Sequence, residues 1–161
     1  LYLTGETDEF ALQVLGKYAD HEFRSIIDGE LDLDGGEKQD IDEKPELMQF
    51  VKEVLGDKIK EAKASRRLKT HPVCMTAGEG FSFEMEKYFK NFQTPMPVKA
   101  DRILELNTAH PAVQAMEQAM TSDREKAEVY AKLLYDQALL IAGLPLEDPS
   151  EYTDLVAGLM K

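Results

Sequence analysis

The sequence has no tryptophan, a single cysteine and three histidines. One cysteine, Cys74, excludes an internal disulfide framework and fits a reducing compartment. His21, His71 and His110 are far apart, with no i, i+4 pair and no CxxC, so nothing spells out a metal site. A surplus of positive charge is missing too. The net charge of −12 argues against nucleic acid as the main partner, because phosphate contacts need a basic stripe. It argues equally against an anionic membrane surface. No apolar run approaches the roughly 20 residues of a spanning helix, and no signal peptide is visible. The glycine-rich AGEGF at 77–81 lacks both the GxGxxG and the GxxxxGKS/T spacing and reads as a tight turn. Cys74 lies in an apolar stretch without a basic neighbour in sequence and reads as a buried, inert thiol. No catalytic constellation emerges, and the expectation is a chain without catalytic residues, metal or cofactor of its own.

What is present is a chain of 161 residues, 43% hydrophobic, enough for one domain, or one domain plus a piece of another. Charge is uneven along it: residues 1–63 carry 17 acids against 8 bases, 64–110 carry 5 against 7, and 111–161 carry 9 against 4. The opening on Leu1, with 1–5 reading as a strand, suggests a piece of a longer protein. TDEFALQVLGKYAD predicts a helix capped by Thr7 or Asp8, with Phe10, Ala11, Val14, Leu15 and Tyr18 on one face. EFRSII predicts a further strand, making a small α/β unit over 1–35.

DGELDLDGGEKQDIDEK carries eight acids in 17 residues. Glu30, Asp32, Asp34 and Gly35 imitate the opening positions of a calcium loop. Its last position, where a bidentate Glu is required, falls on Ile41. A solvated linker extended by its own charge is the better reading. KPELMQFVKEVLGDK predicts a helix with Pro45 in its first turn, a stripe of Leu47, Phe50, Val51, Val54 and Leu55, and a stop at Gly56. KIKEAKASRRL, HPVCMTA and DRILELN predict three strands.

Between the second and third of these strands lies an aromatic helix, expected over 81–92. GEGFSFEMEKYFKNFQTPMP holds Phe81, Phe83, Phe89 and Phe92, four of the chain's seven phenylalanines, with Met85 and Tyr88. A stripe of Phe81, Met85, Tyr88, Phe89 and Phe92 either packs on the strands or forms an exposed, adaptable binding surface. The last 50 residues are helical. One helix starts at Pro111. A second opens with a capping box of Ser122 and Glu125 and stops at Gly143. A third opens with Asp148, Pro149 and Glu151 as cap, first-turn proline and capping-box acid. Leu133, Leu134, Ala138, Leu139, Leu140, Ile141 and Ala142 make the second half of the long helix apolar nearly all round, so it needs cover on several sides. The final helix, with Tyr152, Leu155, Val156, Leu159 and Met160 on one face, supplies part. The remainder falls to a partner chain in a four-helix bundle, or to an intrachain cluster.

These stretches resemble the C-terminal region of the heat-shock protein 90 family of chaperones, in its bacterial form. The resemblance rests on LYLTGETDEFALQVLGKY, FVKEVLGDKIKEAKASRRL, HPVCMTAGEGFSFEMEKYF, RILELNTAHPAV and, most specifically, LLYDQALLIAGLPLEDPSEY. Together they span nearly the whole chain. The resemblance implies an α+β fold. Residues 1–35 would end a middle domain, 36–44 would form an acidic linker, and 45–161 would form a C-terminal domain. That domain would hold a short three-stranded sheet, an amphipathic helix and a dimerising helical bundle. It implies a cytoplasmic, ATP-driven homodimer that binds partly folded client proteins under stress, with no nucleic-acid or membrane partner. Its ATP and Mg sites would lie in an N-terminal domain outside this chain. Client contacts would fall on Phe81, Met85, Tyr88 and Phe89, with Phe83 and Phe92 outside that set. The dimer interface would draw on Leu133, Leu134, Gln137, Leu140, Ile141, Leu144, Tyr152, Leu155, Val156 and Leu159. The ending GLMK lacks the acidic peptide by which eukaryotic cytosolic relatives recruit helical-repeat co-chaperones. The competing reading is a dimeric scaffold whose aromatic helix is core.

Overall fold

The computed structural model describes residues 3–5, 7–23, 42–78, 81–91 and 98–160. It divides into two compact units. The first comprises Leu1–Gly35 and Ala77–Asp101, the second Gly36–Thr76 and Arg102–Lys161. The calcium-like spacing, Phe92 and the QTPMP turn lie outside the described residues.

In the first unit, helix α1 runs Asp8–Leu15. Thr7 holds the cap position without a side-chain cap bond. The Asp8 carboxylate accepts from the backbone N–H groups of Thr4 and Gly5 instead, at 3.0 and 2.9 Å. Those two donations hold the Asp8 carboxyl below the usual aspartate range. Gly16 ends the helix. The strand expected over 1–5 does not form at Leu3, Thr4 or Gly5. The backbone of Thr4 and Gly5 turns back onto Asp8 instead. Of EFRSII, Glu22 lies in a strand and Phe23 does not, and 24–27 lie outside the described residues. The element here is a two-residue hairpin, β1 Lys17–Tyr18 with β2 His21–Glu22, antiparallel. Its loop residues, Ala19 and Asp20, both take positive φ, 48° and 66°. That is the primed turn geometry that matches strand twist, here without the glycine that usually announces it.

Helix α3 of the same unit runs Phe83–Lys90, shorter than the expected 81–92. Its start is set by Ser82, whose Oγ accepts from Met85 N–H at 3.1 Å, so Phe81 precedes the helix. Chain entry and exit are clamped together by Gly78 N–H donating to the Asp101 carbonyl at 2.9 Å. The approach there is close: a Cβ on Gly78 would stand 2.9 Å from Asp101 Cβ.

The second unit holds the main core. Helix α2 spans Pro45–Leu55, with Leu47, Met48, Phe50, Val51 and Leu55 buried, and ends at Gly56 in a 3₁₀ turn. Strands β3 Glu61–Ala64, β4 Val73–Ala77 and β5 Arg102–Leu106 form a sheet in the order β3-β5-β4. β5 pairs β3 in parallel, with Glu61 opposite Ile103 and Ala64 opposite Leu106. Leu104 and Leu106 of the middle strand are wholly buried.

Helix α4, Pro111–Ser122, starts with His110 Nδ1 accepting from Ala112 N–H at 3.1 Å. It turns into α5, Arg124–Ile141, through the single residue Asp123. The capping box expected at Ser122 is corrected here. Ser122 is still helical, its hydroxyl donates back to the Gln118 carbonyl, and Asp123 accepts from Lys126 N–H at 3.1 Å. Two acceptors in a row were available, and the carboxylate took the cap.

Helix α5 packs against α2, α4 and α6, the last spanning Pro149–Gly158, so much of its apolar circumference is covered within the chain. Its end is a Schellman motif. Gly143 takes φ 65° and donates to the Leu140 carbonyl, and Leu144 N–H donates to Leu139 at 2.9 Å. Leu139 and Leu144, the hydrophobic pair of that motif, are both buried. Asp148 caps α6 as expected, accepting from Ser150 and Glu151 N–H at 3.0 and 2.9 Å. Glu151 does not complete a capping box; its carboxylate bonds Lys132 Nζ on α5 at 2.7 Å.

Candidate functional site

Helix α3 places an aromatic cluster at the surface of the first unit. Phe81 and Phe89 lie 5.8 Å apart between ring centroids, and Tyr88 meets Phe89 edge-on at 5.8 Å. A fourth ring joins them from α1. Phe10 lies 5.0 Å from Tyr88 and 5.8 Å from Phe89, the latter nearly perpendicular at 82°. Phe81, Tyr88, Phe89 and Phe10 are all half-buried. Met85 and Phe83 are buried at 7% exposure each, so the sequence-predicted set splits into three half-buried rings and one covered thioether.

Glu86 is the anchor of this helix. Its fully buried carboxylate accepts from Ala100 N–H at 2.9 Å and from Lys90 Nζ at 2.7 Å. One of these donors is neutral backbone and the other a cation one helical turn on, so the buried charge is both hydrogen-bonded and paired. Phe10 is the residue that sequence reading missed. It was legible only as the apolar face of α1, more than 70 positions from its ring partners.

The second candidate surface lies on α5 and α6 in the second unit. Leu133, Leu134 and Leu144 are buried within the chain, and Gln137, Tyr152, Leu155 and Val156 are half-buried. Leu140, Ile141 and Leu159 are 49%, 54% and 49% exposed, and Met160 is 81% exposed. Large aliphatic side chains left in water near the C-terminal ends of both helices are an unfavourable arrangement for an isolated chain.

A third polar cluster is structural. Glu105 on β5 is buried and accepts from Ser65 Oγ at 2.8 Å, from Arg67 Nε at 3.2 Å and from Arg67 Nη2 at 3.3 Å. Burial, with the Glu105 charge beside it, pushes the Cys74 thiol up, which disfavours the thiolate a nucleophile needs. Among the described residues, no group of three or more His, Cys, Asp or Glu side chains is placed to hold a metal ion. Among them, too, no helix is long and apolar enough to cross a membrane.

The architecture is mixed α+β, with large apolar side chains exposed on α5 and at the end of α6. The family model described as Hsp90 protein matches residues 1–161. The chain is 44% identical over 164 residues to the chaperone protein HtpG of Clostridium acetobutylicum, covering 100% of this chain and 26% of that protein. It is 41% identical to HtpG of Halalkalibacterium halodurans and 41% identical to HtpG of Bacillus subtilis, each over 99% of this chain and 26% of the relative. The chain therefore belongs to the Hsp90 family of chaperones, and it spans about a quarter of the length of the curated relatives it matches.

Proposed function

We propose that this chain is the dimerisation and client-binding region of an ATP-dependent chaperone that assists folding under stress in the cytoplasm. The observation that carries the reading is the exposure of Leu140 and Ile141 on α5 and of Leu159 and Met160 at the end of α6. α5 is already covered by α2, α4 and α6, so the cover still missing at its C-terminal end is a second copy of the same helices. A two-fold pairing of α5 and α6 with their equivalents makes a four-helix bundle. Its interface draws on Leu140, Ile141, Leu159 and the half-buried Gln137, Tyr152, Leu155 and Val156. Leu133, Leu134 and Leu144 support it from beneath.

Clients dock on the aromatic cluster through Phe81, Tyr88 and Phe89, with Met85 available as the helix adjusts. Rings and a thioether can repack against many sequences, which suits a receptor for partly folded chains. Nucleotide and Mg bind elsewhere in the longer protein, and residues 1–35, 36–44 and 45–161 act as middle-domain end, linker and C-terminal domain.

Two experiments test this. Sedimentation equilibrium of the chain should give twice 18.2 kDa, reduced to a monomer by Ile141→Glu with Leu159→Glu. A monomer at every concentration would remove the dimer reading. Phe81→Ser and Phe89→Ser in the intact protein should abolish client binding with little change in melting temperature. Unfolding instead would assign those rings to the core and favour a plain dimeric scaffold.

A further inference from the structure

Helix α1 shows what the aromatic surface accepts. Phe10 sits against Tyr88 in a tilted contact at 5.0 Å and against Phe89 edge-on at 5.8 Å. These are favourable aromatic geometries, made on two of the residues assigned to clients. We infer that α1, through Phe10, is an internal stand-in for a client: it occupies the place where a client's aromatic side chain packs against Tyr88 and Phe89, and must leave for that side chain to enter. This inference rests on the client-binding reading of α3.

The hold of α1 is suited to such a role. The helix is eight residues long, and helices that short are marginal on their own in water. Of its other large aliphatics, Leu12 is half-buried, while Val14 is 90% exposed and Leu15 55% exposed. Tyr18, just beyond the helix, is 72% exposed. The aromatic contact of Phe10, with the half-buried Leu12, tethers the helix. Its partner rings stay half-buried rather than sealed, which leaves an incoming ring an edge to start from. The ligand class follows from the occupant: a short segment presenting one aromatic side chain, in preference to an equally apolar segment without a ring.

Competition of this kind lowers apparent affinity by the fraction of time the surface is open. If the cover is closed for most of the time, removing it strengthens binding by about three- to tenfold. The test uses the intact protein and a fluorescent, reduced and carboxymethylated globular protein that stays unfolded. Phe10→Ala should tighten its binding by that factor without lowering the melting temperature. Of two peptides differing only by Phe or Leu at one position, the Phe peptide should gain more from Phe10→Ala. In the unsubstituted protein, hydrogen exchange should speed up at the α1 amides, residues 8–15, when the probe is added. Slower exchange at α3 with unchanged exchange at α1 would overturn the inference and leave the client reading standing. So would weaker binding by a destabilised Phe10→Ala protein, because Phe10 would then be a structural prop. Binding untouched by Phe81→Ser and Phe89→Ser would remove the client reading itself, and this inference with it.

Discussion

The carboxylate of Glu105, buried on the middle strand of the sheet, stands 3.2 Å from Arg67 Nε, and the two form a charge-assisted pair. Ser65 and Thr76 supply further hydroxyl donors, at 2.8 and 3.4 Å. Lys63 Nζ also stands 3.7 Å from the carboxylate, so removing Arg67 leaves the buried charge with one cation instead of two, which is worse than losing the charge as well. Arg67→Ala is expected to destabilise the chain by about 2–4 kcal/mol. Glu105→Ala should cost a similar amount, and the double variant clearly less than the sum. Urea unfolding of the four proteins measures the coupling. Additive losses would mean that the pair contributes nothing as a pair.

Buried and exposed leucines of α5 should part company. Leu134 is buried in the helix cluster, so Leu134→Ala should cost about 2–5 kcal/mol, measurable in the monomer. Ile141→Glu should leave monomer stability within about 0.5 kcal/mol, as at other surface positions. Its effect should fall on self-association alone, read by sedimentation.

The helix ends make a second stability prediction. Gly143 sits at φ 65°, where a Cβ is strained, so Gly143→Ala should cost about 1–2 kcal/mol. Asp148→Ala removes an acceptor for two backbone N–H groups and should cost about 1 kcal/mol. Thermal melts of the two variants and their combination check both numbers. The sites belong to different helices, so the losses should add.

Asp136 provides the pH test. Burial holds its carboxyl above the usual aspartate value, opposed by the Lys58 charge and reinforced by Glu151 and Glu147. A raised folded-state value means that the native chain binds this proton more tightly than the unfolded chain does. The resulting stabilisation is full below pH 3.8 and is lost as pH rises through the raised value. At neutral pH the half-buried charge is thus a small burden. Asp136→Asn should lift the melting temperature at pH 7 by on the order of 1–2 °C and flatten the acid-range profile. A fall in melting temperature would show that the Lys58 attraction outweighs burial.

Much of the second unit was legible in the sequence because its signals are local. Pro45 and Gly56 bracket α2, Gly143 stops α5 and Asp148 starts α6, each through bonds spanning a few residues. Ser122 misled because a neighbouring Asp123 offered a stronger acceptor, a competition that spacing alone does not decide. The Ala19–Asp20 turn was hidden by the lack of an Asn-Gly pair. Within the aromatic site, Tyr88 and Phe89 stood out by composition, whereas Phe10 is joined to them only by tertiary packing. Burial of Met85 depends on where Ser82 starts the helix, and moving that start turns every side chain of α3.

The bond from Gly78 N–H to the Asp101 carbonyl, with that from Ala100 N–H to Glu86, holds together the two ends of the stretch that carries α3. Lengthening a closed excursion is entropically mild, about 0.6 kcal/mol for each doubling. New rings, lost rings or inserted turns in the α3 segment therefore tax loop entropy only slightly. The aromatic surface can change there by drift with little cost to the rest of the fold.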